Sequence, residues 1–355
     1  MTQLVLSWGE KPYRAQQLWS WLYVRLANSF EAMSDLPKGF RQRLQETLPP
    51  WLPTIREYHR SADGTEKWLL QLEDGQVVET VHIPDEERGT LCISTQAGCA
   101  LACSFCHTGR QGFARNLTCH EIVGQVVLAR SAVEAAGRKV TNVVMMGMGE
   151  PLYNCEAVFA AGRILMDANG LAFGSRKLTL STAGVIPRLP EVARELGCNL
   201  AISLHSVRDE VRNVLVPLNR KYGIAGLRKA ALAYPLKANR RIFWEYVLLK
   251  GVNDSARDAR ELIGFLHGIP SKVNLIPFNP WPGSDYQQPE METALHFQEI
   301  LRQAGQVAIL RDSRGGDIAA ACGQLRGALL GAKQRRDFNL QEGFQDIVQE
   351  TVQVE

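Results

Sequence analysis

The sequence predicts an α/β protein, a partial (β/α)6 barrel carrying an N-terminal accessory portion made of helices and a β-meander. Three observations predict it. From residue 90 onward, six short apolar runs alternate with amphipathic helical segments, the signature of a parallel sheet with right-handed crossovers. Before residue 90, helical periodicity gives way at Pro49-Pro50 to extended segments punctuated by Asp-Gly turns. The polar residues with chemical potential fall just past the ends of the later runs, where barrel folds gather their ligands.

Residues 11–47 read as helical, because Ala15, Leu18, Leu22 and Leu26 recur at helical spacing while Trp19 and Trp21 widen the apolar face. Over 54–83 the period shortens to two. Asp63-Gly64 and Asp74-Gly75 mark hairpin turns between runs such as Lys67–Leu72 and Val77–Ile83. The barrel strands are expected at 91–95, 141–146, 177–181, 199–204, 242–248 and 272–276. Helices are expected at about 119–136, 154–168, 187–196, 224–234 and 257–267. A last helix at 291–303 precedes a strand near 306–311. The chain thus divides into a helical accessory domain (1–50), a meander extension (51–89), the barrel with a terminal loop carrying Cys322 (90–332), and a peripheral tail (333–355).

At 355 residues the chain can bury a large core without disulfide staples. Eight cysteines in a chain with neither a signal-peptide layout nor a charge-free run long enough for a membrane span point to reduced thiols, metal chemistry and a cytoplasmic setting. The formal charge of +3 permits an RNA partner through a local patch without indicating one.

The chemistry concentrates in Gly98-Cys-Ala-Leu-Ala-Cys-Ser-Phe-Cys106, where Cys99, Cys103 and Cys106 are spaced Cys-x3-Cys-x2-Cys. Three adjacent thiolates can grip three irons of a [4Fe–4S] cube and leave the fourth open to an exogenous chelator. A structural zinc or relay cluster wants a fourth protein ligand. The bland alternatives are a zinc loop borrowing Cys92 or His107, or three unrelated thiols. Gly147-Met-Gly149-Glu150-Pro151 follows the second barrel strand, Ser181 ends the third, Ser203-Leu204-His205 ends the fourth, and Asn279 follows the sixth. Each has an ordinary structural reading, but unrelated polar residues would scatter over both ends of a barrel. Cys92 lies within the first strand and Cys322 far downstream, and spacing alone does not pair them. In Val77–Ile83 the alternation places Glu79 on the face of Val77, Val81 and Ile83. A carboxylate there either has a raised pKa suited to proton transfer or reaches water from an edge strand.

These residues, with Glu10–Trp19, Ser61–Trp68, Arg88–Cys99, Asn142–Leu152, Leu180–Gly184, Glu245–Asp254, Asn274–Pro280 and Ala321–Leu325 in order, resemble the radical-SAM RNA methyltransferases of the RlmN and Cfr family over nearly the whole chain. The resemblance implies that Cys99, Cys103 and Cys106 hold a [4Fe–4S] cluster. It implies that Gly149, Glu150, Ser181, Ser203, Leu204, His205 and Asn279 contact S-adenosylmethionine (SAM), that Cys322 carries a methyl group, that Cys92 is its disulfide partner, and that Glu79 accepts a proton. Pro151 resembles the RlmN form, which implies methylation at C2 of an adenine in 23S rRNA and of an adenine in tRNA. A flavodoxin or ferredoxin is the implied electron donor. Cfr-like C8 methylation of the same rRNA is the rival reading, and a non-enzymatic metal-bearing RNA-binding protein is a more distant one. Two positions depart from the family pattern: Ser313-Arg-Gly-Gly-Asp317 lacks one acidic group, and His107 stands where serine is frequent.

Overall fold

The computed structural model describes residues 1–48 and 51–328; the expected tail at 333–355 lies outside them. Helices α1 (Thr2–Ser7), α2 (Tyr13–Tyr23) and α3 (Lys38–Thr47) pack Val5, Leu18, Leu22, Phe30, Met33, Phe40 and Leu44 into a core of their own. The helix expected over 11–47 is therefore two helices. The break comes where Leu26 adopts φ +51, a left-handed conformation that a bulky side chain rarely takes, and Leu26 packs into the main core instead. This helical unit touches the rest where Trp19 and Tyr23 approach Gly170 so closely that a Cβ there would lie 2.8 Å from Trp19 Nε1.

The meander follows as β1 (Thr54–Arg60), β2 (Glu66–Gln71) and β3 (Val77–Pro84), turning at Gly64 and Gly75, both with φ above +80° as the Asp-Gly turns require. Strand β4 (Gly89–Cys92) pairs antiparallel with β3 and parallel with the strand beyond, so one ten-stranded sheet joins meander and barrel. A small hairpin of β5 (Gln96–Gly98) and β6 (Phe113–Asn116), unforeseen in the sequence, closes the base of the cysteine loop, which carries α4 (His107–Gln111).

The β/α alternation then runs α5 (Cys119–Ala135), β7 (Asn142–Met145), α6 (Cys155–Met166), β8 (Leu178–Thr182), α7 (Leu189–Glu195) and β9 (Asn199–Ser203). After β9 come α8 (Asp209–Leu215) and α9 (Asn219–Tyr222), two further elements that the sequence reading lacked, then α10 (Ile224–Ala233). The chain finishes with β10 (Ile242–Leu248), α11 (Ala256–Leu266), β11 (Ser271–Pro277), α12 (Met291–Gln303) and β12 (Ala308–Leu310). Strands β4, β7, β8, β9, β10 and β11 are parallel neighbours in that order, the six expected barrel strands, and short β12 adds to β11. Capping boxes at Thr118/Glu121 and Ser255/Asp258 start α5 and α11 by satisfying orphan N–H groups. No helix among the described residues is long and apolar enough to cross a membrane.

Candidate active site

The C-terminal ends of the barrel strands enclose a cavity of about 180 Å³. Cys99, Cys103 and Cys106 line it together with Gly149, Glu150, Ser181, Ser203, His205 and Cys322. Right-handed β/α units put the end of every parallel strand on one rim, which is why residues scattered over more than 200 positions converge there.

The cysteine loop is pinned at several points. Cys99 donates its N–H to Gly112 O (2.7 Å), and Trp281 Nε1 donates to Phe105 O (3.0 Å). Gly109 lets α4 approach so closely that a Cβ would lie 3.0 Å from the backbone of Cys103. Burial raises the Cys103 thiol well above its ordinary pKa, and the charges of Cys99 and Cys106 push it further. Burial raises the Cys106 thiol as well, so a shared cationic centre is what would let these sulfurs be thiolates together. Among the described residues, however, no three His, Cys, Asp or Glu side chains converge as a single ion requires. Three neighbouring cysteine sulfurs are the donor set that an iron–sulfur cube with one open iron takes.

Glu150 is buried, and each of its oxygens accepts one backbone N–H, from Leu152 (3.0 Å) and Ala183 (2.8 Å). Desolvation raises its pKa to about 7, because no cation among the described residues is within ion-pair distance. An ammonium ligand would complete it. Gly149, at φ +104, admits the turn: a Cβ there would lie 2.5 Å from the Gln96 side chain. His205 is held at φ +60 by Asn253, which donates to its carbonyl (2.6 Å), while its Nδ1 accepts the Val247 N–H (3.0 Å). Burial depresses its pKa to about 3, so the ring is neutral and positions groups without exchanging protons at neutral pH.

Two expected ligands lie off the cavity wall. Leu204 is fully buried, donates its N–H to Glu245 O (2.9 Å) and accepts from Arg212 Nε (2.9 Å). Asn279 donates to Cys322 O (3.4 Å) and accepts from Ser313 Oγ, which makes it a tether of the Cys322 loop.

That loop is stitched to the meander. Ser61 Oγ donates to Asp317 (2.6 Å), and Gly315 N–H donates to Asp63 (2.9 Å), whose carboxyl is held at about 2 by such bonds despite partial burial. Lys67 Nζ donates to Ala319 O (3.1 Å) and lies 3.7 Å from the Glu79 carboxylate, which accepts the Arg326 N–H (3.3 Å). The strand register aligns these groups. Lys67 opposes Val81 and Val81 opposes Cys92, so Lys67, Glu79 and Cys92 share one sheet face, and the Cys322 loop covers it. Strand β3 is interior, not an edge, and Glu79 is 3% exposed, which disposes of the water-reaching reading. Its pKa is raised by burial, against the pull of Lys67. Cys92 is pushed up to about 12 by burial and by the neighbouring Cys322 charge. Cys322, though exposed as a residue, has its thiol pKa raised by desolvation and by Glu245. Both thiols are free.

Lys67 and Glu79 form a buried pair, so removing one partner leaves the other's charge stranded. Lys67→Met is expected to cost about 3 kcal/mol. Adding Glu79→Gln should recover part of it, and a denaturant-melt cycle over the two single variants and the double variant measures this coupling.

Sequence reasoning missed Glu245, whose carboxylate accepts from Asn274 Nδ2 (2.8 Å) and lines the cavity. Its signal was available: a lone charge within the buried run Ile242-Phe-Trp-Glu-Tyr-Val-Leu248. It also missed Lys67 and Arg212, which look like any other cations in the sequence.

Residues 1–48 match the family profile described as the ribosomal RNA large subunit methyltransferase N-terminal domain, and residues 93–263 match the radical SAM superfamily. The chain is 60% identical to the dual-specificity RNA methyltransferase RlmN of Magnetococcus marinus, over 94% of each chain. It is 51% identical to that of Rhodospirillum rubrum, over 91% of this chain and 77% of the relative. Its fold superposes on the crystal structure of a radical SAM methyltransferase from Sphaerobacter thermophilus with a TM-score of 0.89 and 46% identity, covering 92% of this chain and 96% of that one.

Proposed function

Because the chain belongs to the RlmN family, radical SAM RNA methyltransferases that work with a [4Fe–4S] cluster and SAM, we propose that it methylates C2 of an adenine in 23S rRNA and of an adenine in tRNA, with Cys322 as a covalent methyl carrier. The observation that carries this reading is the placement of Cys322 on the wall of the cavity lined by Cys99, Cys103 and Cys106, with Cys92 close enough to feel the Cys322 charge. The enzyme acts in the cytoplasm, drawing electrons from a flavodoxin- or ferredoxin-like donor.

Adenine C2 is an electron-poor amidine carbon with no lone pair to attack a sulfonium methyl directly. Cys99, Cys103 and Cys106 would hold the cluster, whose one-electron cleavage of a SAM molecule would supply a carbon radical able to abstract hydrogen. Glu150 binds the ammonium of SAM, Gly149 gives its backbone room, and Ser181, Ser203 and His205 line the rest of the pocket. Cys322 takes a methyl group from a different SAM molecule as a thiolate nucleophile, losing its proton. After hydrogen abstraction from that methyl, the Cys322-bound methylene adds to C2. Glu79 removes the C2 proton as the ring gives up one electron, which the cluster left oxidised by SAM cleavage would take back. Cys92 then attacks the Cys322 sulfur and breaks the carbon–sulfur bond; its thiol proton goes to the released carbon, completing the methyl group, and a Cys92–Cys322 disulfide forms. A thiol reductant must reopen that disulfide before the next cycle.

An anaerobic assay of reconstituted protein with SAM, reductant and separate rRNA and tRNA fragments tests the reading. Mass spectrometry of the digested RNA should find 2-methyladenosine in both, whereas 8-methyladenosine would assign the enzyme to C8. Glu79 should act as a base only when ionised. The single-turnover methylation rate is therefore expected to fall as pH drops through a pKa above the ordinary carboxylate value. Glu79→Gln should slow methylation by roughly 10²-fold or more and erase that limb. An unchanged profile would reduce Glu79 to a structural partner of Lys67.

A further inference from the structure

We propose that Arg212 supplies a fixed positive charge to the cysteine-trio cavity, setting the reduction potential of the cluster bound there while holding the strand ends that frame it. The proposal rests on the cluster reading above. Arg212 lies on α8 and is 2% exposed. Its guanidinium donates to Leu204 O (2.9 Å), Ser203 O (2.9 Å), Ala183 O (2.8 Å) and Asn219 Oδ1 (2.8 Å). All four acceptors are neutral. Among the described residues no carboxylate lies within ion-pair distance of it. Asp209, whose carboxylate charge also reaches Arg212, is exposed and engaged by Asn219 Nδ2 (2.7 Å) and the Ile224 N–H (2.9 Å).

A buried cation bonded only to neutral acceptors is costly, and it persists where an anion arrives later. The candidate anion is adjacent. The end of α8 accepts the Ser104 N–H at Leu215 O (3.2 Å), and Ala183 and Ser203, whose carbonyls Arg212 binds, line the same cavity as Cys103. An iron–sulfur cube with three thiolate ligands is anionic and gains a further negative charge on reduction. A neighbouring cation in a low-dielectric wall therefore favours the reduced form more than the oxidised one. The same side chain ties down the backbone at Ala183, Ser203 and Leu204, and Ala183 in turn donates to Glu150 (2.8 Å). One residue thus orders the rim and sets its potential.

The test compares wild type, Arg212→Lys and Arg212→Gln, reconstituted anaerobically and titrated electrochemically with the reduced cluster followed by electron paramagnetic resonance. Arg212→Gln is expected to lower the reduced-to-oxidised ratio at fixed potential by about tenfold, a shift of about 59 mV to more negative potential for one electron. Arg212→Lys, which keeps the charge but not the fork, should stay within about threefold of wild type. An unchanged midpoint in Arg212→Gln, or an equal fall in both variants, overturns the proposal. If Arg212→Gln does not fold, Arg212→Lys decides alone: a midpoint near wild type supports the charge role, and a tenfold fall refutes it. Failure of the underlying cluster reading is distinguishable, since wild-type protein would then bind neither iron nor sulfide.

Discussion

Cys322→Ala is expected to lower RNA methylation by on the order of 10³-fold or more, the scale of losing a covalent nucleophile, while cluster content and fold stay intact. The selectivity of that loss follows from how the loop is held. None of its tethers uses the Cys322 sulfur. Asn279 binds the Cys322 carbonyl, Lys67 the Ala319 carbonyl, Glu79 the Arg326 N–H, and Val77 exchanges both backbone bonds with Ala328. The thiol makes none of these bonds and faces a cavity instead of packed core, so its removal should change stability by no more than about 1 kcal/mol. Iron and sulfide assays, thermal melts and methylation assays on one preparation separate the outcomes. Methylation at more than a tenth of the wild-type rate would show that the methyl group travels by another route.

Cys92→Ala should convert turnover into a trap. Without the second sulfur, nothing in the proposed sequence breaks the bond between Cys322 sulfur and the methylene carbon on the base. RNA should then remain covalently attached to the protein in close to one-to-one ratio and resist thiol reductants, since a thioether is not a disulfide. The high pKa of Cys92, pushed to about 12 by burial and the Cys322 charge, makes it a poor nucleophile until the loop and its load rearrange. Its proximity to Cys322 is therefore compatible with a slow, late attack. Denaturing gels and mass spectrometry of the tryptic peptide containing Cys322 detect the adduct. Recovery of free, methylated RNA at the wild-type rate would remove Cys92 from the reaction.

Much of this site was legible in the sequence because barrel topology does the assembling. Once six β/α units are recognised, Glu150, Ser181, Ser203 and His205 must share a rim with the cysteine trio, whatever their separation along the chain. Relations set by packing of the meander were not legible. The row Lys67–Val81–Cys92 depends on the registers of two antiparallel pairs, and a one-residue slip would turn Glu79 away from the Cys322 loop. Alternation suggested one buried face of β3, yet both are buried. Thr80 Oγ1 donates to Gln125 on α5 at 2.9 Å while Glu79 faces the loop, so a period-two pattern could not distinguish them. The N-terminal helical signal was continuous through Leu26, and only tertiary packing broke it there. Arg212 carried no sequence mark because its meaning lies in what is missing around it, a carboxylate.

The most direct test of the covalent-carrier account is to incubate reduced protein with SAM bearing a deuterated methyl group, without RNA, and to map the label by peptide mass spectrometry. One labelled methyl group on Cys322, passing to adenine when RNA and reductant are added, is the expected result. RNA that acquires the label while the peptide containing Cys322 stays unmodified, or a label carried by a different residue, would contradict it.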